Sequence, residues 1–299
     1  MASFKSWIKA ARLRTLPLAL ASVAMGGLVA ATHSEFNLKA VVMTAITALF
    51  LQILSNLAND LGDSRKGVDN EKRVGPRRTV QSGEISPASM KKAIVLVAFL
   101  ALISGLLLIF WAASISVKTS AIFVLLGLGA IVAAIKYTVG KNPYGYVGLG
   151  DLFVFLFFGL LGVAGTWFLA TQSWNWIILL PSAAMGLFSA GVLNLNNMRD
   201  IENDKRNGKN TLAVKLGLEK AFIYHCLLVL LPFVLLSVFV LLIKADARVF
   251  LFVITLPLFL VDLVRINNSF GGASLDPFLR KLALKTLLLT IVFGALINF

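Results

Sequence analysis

The chain has 299 residues, 58% of them hydrophobic, and a formal net charge of +14 at pH 7. Soluble domains average ~45–50% apolar residues, so this composition excludes an ordinary soluble enzyme. The apolar residues fall in long runs without alternation, which excludes a transmembrane β-barrel as well.

In chain order, nine runs are long enough to cross a bilayer core of ~30 Å as helices. They cover 15–32, 40–60, 93–113, 120–137, 148–171, 175–196, 221–243, 248–264 and 282–298. The expected fold class is all-α: a polytopic membrane protein with nine transmembrane helices in a bundle and a cytoplasmic cap of loop helices. A single domain, residues 1–299, is expected. Spans one to four and five to eight read as two related halves, with span nine added. The opening stretch "MASFKSWIKAARLRTLPLAL" has no clear small-residue cleavage site, so its apolar part reads as a retained span and not a removed signal peptide.

Of the 28 Lys and Arg, only Lys39, Lys118, Lys244 and Arg248 fall on one side of this topology. The positive-inside bias therefore predicts a cytoplasmic N-terminus, cytoplasmic loops at 61–92 and 197–220, and a C-terminus on the opposite side. The basicity is then mostly a topology signal, with attraction to anionic lipid as a secondary effect. No nucleic-acid partner is expected, because there is no separate basic domain. Cys226 is the only cysteine, which rules out a disulfide or thiolate metal site within one chain. His33 and His225 are too few for a histidine-rich metal centre.

The two long loops open with matching patterns. Span two ends in "NLANDLGD", with Asn56, Asp60 and Asp63. Span six ends in "NLNNMRDIEND", with Asn196, Asp200 and Asp204. Steps of three and four residues stack side chains on one face of a helix. Carboxylate and amide oxygens are hard ligands suited to Mg²⁺, an ion that shares its shell with water and substrate phosphate. Two such faces opposed would hold two or more Mg²⁺ ions bridging a diphosphate. Solvated helix ends are the bland reading, and the repetition of the motif at equivalent places counts against it.

Basic residues follow each motif: Arg65, Lys66, Lys72, Arg73, Arg77 and Arg78 after the first, and Arg199, Lys205, Arg206 and Lys209 after the second. Positive-inside bias accounts for most of them, yet phosphate oxygens also require cations. The loop between spans four and five, "KYTVGKNPYGYVGLGD", adds Tyr137, Lys141, Tyr144, Tyr146 and Asp151. An interfacial aromatic belt is the structural alternative for its tyrosines.

The segments "NLANDLGDSRKGVD", "GPRRTVQSG", "GKNPYGYVGLGD" and "NNMRDIENDKRNGKNTLAVKLG" resemble the UbiA superfamily of intramembrane prenyltransferases. The likeness covers nearly the whole chain and is greatest to the branch that acts on 1,4-dihydroxy-2-naphthoate. The first motif departs from the common four-and-four acidic spacing, since Asp63 follows Asp60 by three. The resemblance implies a Mg²⁺-dependent aromatic prenyltransferase of the bacterial cytoplasmic (inner) membrane. Its substrates would be a polyprenyl diphosphate and an aromatic acid. The naphthoate branch would release CO₂ and diphosphate and give demethylmenaquinone.

By position, the resemblance assigns Asn56, Asp60, Asp63, Asn196, Asp200 and Asp204 to the metal. It assigns Arg78, Lys141 and Lys205 to the diphosphate. Arg14, Tyr137, Tyr144 and Asp151 are the candidates for the acceptor. Two alternatives stay open: the same chemistry on another acceptor such as 4-hydroxybenzoate, and a transporter of an acidic solute. A transporter would place its polar site near the midplane.

Overall fold

The computed structural model describes residues 2–69, 74–111, 116–269 and 271–299. Lys72, Arg73 and the last residues of the third apolar run lie outside the described residues. Among those described, no strand occurs and nine helical segments are long and apolar enough to cross a membrane. With the family membership established below, these make the chain an integral membrane protein.

The chain begins with a short amphipathic helix, α1 (Phe4–Ala11). Ser3 caps it by accepting from the Ser6 amide at 3.1 Å, and Arg12, in left-handed conformation at φ 49°, ends it. Spans one to four are then α2 (Leu16–Ala30), α3 (Leu38–Arg65), α4 (Pro87–Trp111) and α5 (Val117–Lys136). Caps start two of these: Asn37 accepts from the Ala40 amide, and Ser116 from the Thr119 amide.

Span five covers Gly150–Thr171. It opens with α6 (Gly150–Val154), passes through a π-helical stretch, Phe155–Gly165, and closes with α7 (Thr166–Thr171). Span six contains α8 (Leu179–Arg199). Two short helices follow in the second long loop, α9 (Ile201–Arg206) and α10 (Leu212–Leu216). The described part of the first long loop consists of turns. Spans seven to nine contain α11 (Leu218–Leu242), α12 (Leu256–Asn267) and α13 (Asp276–Asn298).

The most extensive packing is between the second and third helix of each set, α3 with α4 and α8 with α11. Helix α13 packs against α2 and α8 and so joins the two ends of the chain. Small residues allow the backbones to approach where lipid gives no hydrophobic drive between helices. A Cβ on Gly159 would lie 2.6 Å from the Ser182 carbonyl oxygen, and one on Gly186 would lie 2.9 Å from that of Phe155. Span five thus touches α8 backbone to backbone. On the other side of α8, Phe188, Phe233, Phe252, Phe259 and Phe293 interlock in edge-on and stacked pairs.

Candidate active site

The Asn/Asp-bearing ends of α3 and α8 meet. Asp63 and Asp204 are both buried, and Lys209 places its ammonium 3.6 Å from one carboxylate and 3.9 Å from the other. Gly208, at φ 70°, reverses the chain just past α9 and carries Lys209 inward. Asn203 donates to the Val68 carbonyl at 2.9 Å, which docks the second long loop on the first. Burial opposes the charge on Lys209, but Asp63, Asp204, Asp200 and Asp69 outweigh it and hold the group above its ordinary pKa.

Tyr146 completes this knot. Its hydroxyl donates to Asp63 Oδ1 at 2.7 Å, and the ammonium groups of Lys66 and Lys209 lie 4.6 and 5.4 Å from its ring centre. Burial, then the Asp63 charge, raise the pKa of the phenol, so it stays a donor. The Asn210 amide donates to the Tyr146 carbonyl, tying in the loop between spans four and five.

On the last turns of α3, three side chains face a cavity: Asn56, Asn59 and Asp63. Asp60 turns the other way. Only 1% exposed, it accepts from the Thr79 amide at 3.0 Å, the Thr79 hydroxyl at 2.6 Å and the Val80 amide at 3.2 Å. Asp60 therefore anchors the turn that presents Arg78, which does line the cavity. Arg78 Nε in turn lies 3.7 Å from buried Asp69. The Asn56 amide donates to the Ala11 carbonyl and the Thr15 hydroxyl, which ties α3 to the N-terminal segment.

The second motif is held by Arg199. This buried guanidinium donates to both Asp200 oxygens, at 3.0 and 2.6 Å, to Asn196 Oδ1 at 2.8 Å, and to Asp276. Asn196, Asp200 and Asp204 all line the cavity.

Other sequence candidates stand elsewhere. Lys141 and Lys205 are exposed and off the cavity wall; Lys209 takes the inward position. Arg14 is paired with Asp276 at 3.0 Å, and it is Arg12 that reaches the cavity. Tyr137 and Tyr144 do line it, with the Tyr144 hydroxyl spent on the Ala133 carbonyl. The Asp151 carboxylate is buried behind that wall, without a hydrogen-bond partner among the described residues.

The cavity, of about 340 Å³, runs from this polar end along α3, α4, α5 and span five. Its wall from Asp63 to Thr44 along α3 corresponds to about 28 Å of helix. Beyond the polar head it is mostly apolar, with Ser22, Thr44 and Thr47 as polar exceptions. One charged end and one long greasy body suit an amphiphile with an anionic head.

The model described as the UbiA prenyltransferase family matches residues 19–296. The chain belongs to the UbiA prenyltransferase family. Relatives in it include the 1,4-dihydroxy-2-naphthoate octaprenyltransferase of Haemophilus influenzae, 43% identical over 97% of this chain and 94% of that one. The enzyme of the same name from Escherichia coli is 39% identical, over 97% and 94%. The solved structure of a UbiA homolog from Archaeoglobus fulgidus bound to DMAPP and Mg²⁺ shares the fold. Its TM-score is 0.68 at 19% identity, covering 98% of this chain and 99% of that one.

For a UbiA chain, Arg12 and Asp69 draw no role from the sequence, whereas Asn59 and Lys209 stand in the quoted segments without being distinguished there as inward-facing. The oxygens of Asn59, Asp63, Asn196, Asp200 and Asp204 form a hard donor set. That Lys209 already rests between the two motifs marks the place as one where the local field favours a cation. Among the described residues, no three acidic, His or Cys side chains close into a ready-made metal cage. A hard ion held here takes part of its shell from water or phosphate.

Proposed function

We propose that this protein transfers a polyprenyl chain from a prenyl diphosphate to 1,4-dihydroxy-2-naphthoate, with loss of CO₂ and diphosphate. The product is the demethylmenaquinone skeleton, formed as its quinol. The observation that carries this reading is the shared ammonium of Lys209 between Asp63 and Asp204 at the head of a long apolar cavity. The names of the relatives at 43% and 39% identity support the naphthoate as acceptor. The single domain with two related halves, the inner-membrane location and the cytoplasmic active-site face belong to the same proposal.

Two or more Mg²⁺ ions would be held by Asp63, Asp200 and Asp204 with Asn59 and Asn196, and when bound would supply charge stabilisation for the departing diphosphate. Arg78, Arg12 and Lys209 would grip its oxygens from the cavity wall. Asp60 works indirectly, by holding the turn that carries Arg78. Arg199 sets the rotamers of Asn196 and Asp200.

As the C1–O bond of the prenyl group breaks, its electron pair leaves with the diphosphate. The ring carbon bearing the carboxylate attacks C1, and loss of CO₂ returns an electron pair to the ring. Tyr137 and Tyr144, on the cavity wall, are placed to pack against an acceptor ring, and the apolar side chains that line the cavity next to them would limit water at the allylic cation.

The test uses the full chain in proteoliposomes with a long prenyl diphosphate, Mg²⁺ and carboxyl-labelled naphthoate. Labelled CO₂ with prenylated product is the expected result. Product only from 4-hydroxybenzoate would move the reading to another acceptor. No Mg²⁺-dependent product from either would overturn it.

A further inference from the structure

Two arginines and two carboxylates meet where the start of span nine reaches the second motif. Asp276, the first residue of α13, accepts through Oδ1 from Arg199 Nη1 and through Oδ2 from Arg14 Nη1, the latter at 3.0 Å. Arg14 belongs to the single turn Leu13–Thr15, against which α13 packs. The side chains of Arg14 and Asp276 are 31% and 30% exposed, whereas that of Arg199 is fully buried. The same Arg199 guanidinium grips both oxygens of Asp200, which lines the cavity. A half-exposed pair such as Arg14–Asp276 adds little stability by itself. The buried cation on the other side of Asp276 changes its weight. Without Asp276, Asp200 would be the only carboxylate left on Arg199 among the described residues.

We propose that Asp276 is a positioning residue that sets how strongly the second motif takes a divalent cation: by sharing Arg199, it keeps Asp200 from being neutralised by its own neighbour. The proposal rests on the functional reading above for the presence of a metal. A guanidinium on both oxygens of a carboxylate competes with a metal ion for the same lone pairs and the same charge. Asp276 divides that pull, because Arg199 turns Nη1 to Asp276 while Nε and Nη2 go to Asp200. Arg14 works in the opposite sense. It holds Asp276 from the far side and so weakens the grip of Asp276 on Arg199. The two outer residues therefore tip the balance at Asp200 in opposite directions. Loss of the Asp276 charge favours the arginine, and loss of the Arg14 charge favours the metal.

The test titrates the full chain, in proteoliposomes of zwitterionic lipid, with Mn²⁺ and reads the free ion by electron paramagnetic resonance, with no substrate present. Asp276→Asn should raise the Mn²⁺ Kd at least ~10-fold, the scale seen when a residue that orients a metal ligand is lost. Asp276→Glu restores the charge and should stay within ~3-fold of wild type. Arg14→Gln should leave the Kd at or below the wild-type value. In turnover assays the Mg²⁺ concentration for half-maximal rate should follow the same order, while kcat at saturating Mg²⁺ changes far less. A purely structural role would lower kcat and melting temperature and leave the Kd alone. An unchanged Kd in Asp276→Asn, a rise in Arg14→Gln as large as that in Asp276→Asn, or a wild-type chain that binds no Mn²⁺ overturns the proposal. Prenyl transfer by the wild type would still uphold the functional reading in each of those cases. Mn²⁺ binding that follows the charge at Asp276, with no prenyl transfer to either acceptor, supports the role of Asp276 and overturns the functional reading instead.

Discussion

Asp63 and Asp204, far apart in the chain, share one ammonium: Lys209 Nζ lies 3.6 Å from the first and 3.9 Å from the second. A cation stands between these two buried carboxylates and offsets their repulsion, and the same field would draw in metal and polarise a diphosphate.

Removing that charge should be costly. Lys209→Met is expected to lower kcat/KM for the prenyl diphosphate at least ~100-fold. Lys205→Met, at an exposed place on α9, should stay within ~2-fold of wild type. Steady-state kinetics in proteoliposomes decide it, and similar losses in the two variants would remove the special place given to Lys209.

Asp60 and Asp63 should part company. Asp63→Asn is expected to abolish turnover, since it reaches both the cavity and Lys209. Asp60→Asn weakens three bonds to the 79–80 turn, which should cost about 2 kcal/mol of stability and some activity through Arg78. The Mg²⁺ concentration for half-maximal rate should not move in Asp60→Asn. A large rise in that value would make Asp60 a metal ligand after all.

Arg199→Lys keeps the charge and loses the fork that reaches Asp200, Asn196 and Asp276 together. Loss of a buried pair of this kind should cost about 3 kcal/mol or more, read as a lower melting temperature with reduced kcat. Gly75→Ala probes the same place from the other side, because its Cβ would lie 2.7 Å from the guanidinium. Full activity in Gly75→Ala would show that the turn can shift without disturbing Arg199.

The Lys9–Glu84 pair pins α1 to the first long loop. The hydrogen bond from Lys9, then that from Ser82, lower the Glu84 pKa below its ordinary 4.5. A lowered carboxyl pKa adds stability above the unfolded value and loses it as pH falls through the folded value. The melting-temperature gap between wild type and Glu84→Gln should therefore be small and constant at neutral pH, and should close once pH drops below about 4.5. A gap that widens on acidification would reverse the sign and sink the assignment.

The sequence by itself determined the nine spans and two Asn/Asp-bearing helix ends, each followed by a basic set; that the two ends meet was an expectation that the packing decided. Apolar length and local spacing are properties of a window of chain, so no tertiary information is needed to read them. The tertiary structure alone decided which side chains face inward. Asp60 and Asp63 both lie within one turn of the same helical face, and what separates them is a turn at Thr79 that docks on one side. Lys209 rather than Lys205 points inward because Gly208 reverses the chain. The route of the cavity was hidden for a different reason. In a membrane the outer faces of helices are as apolar as those lining a tail groove, so hydrophobicity carries no mark of which face is inside until the helices have packed.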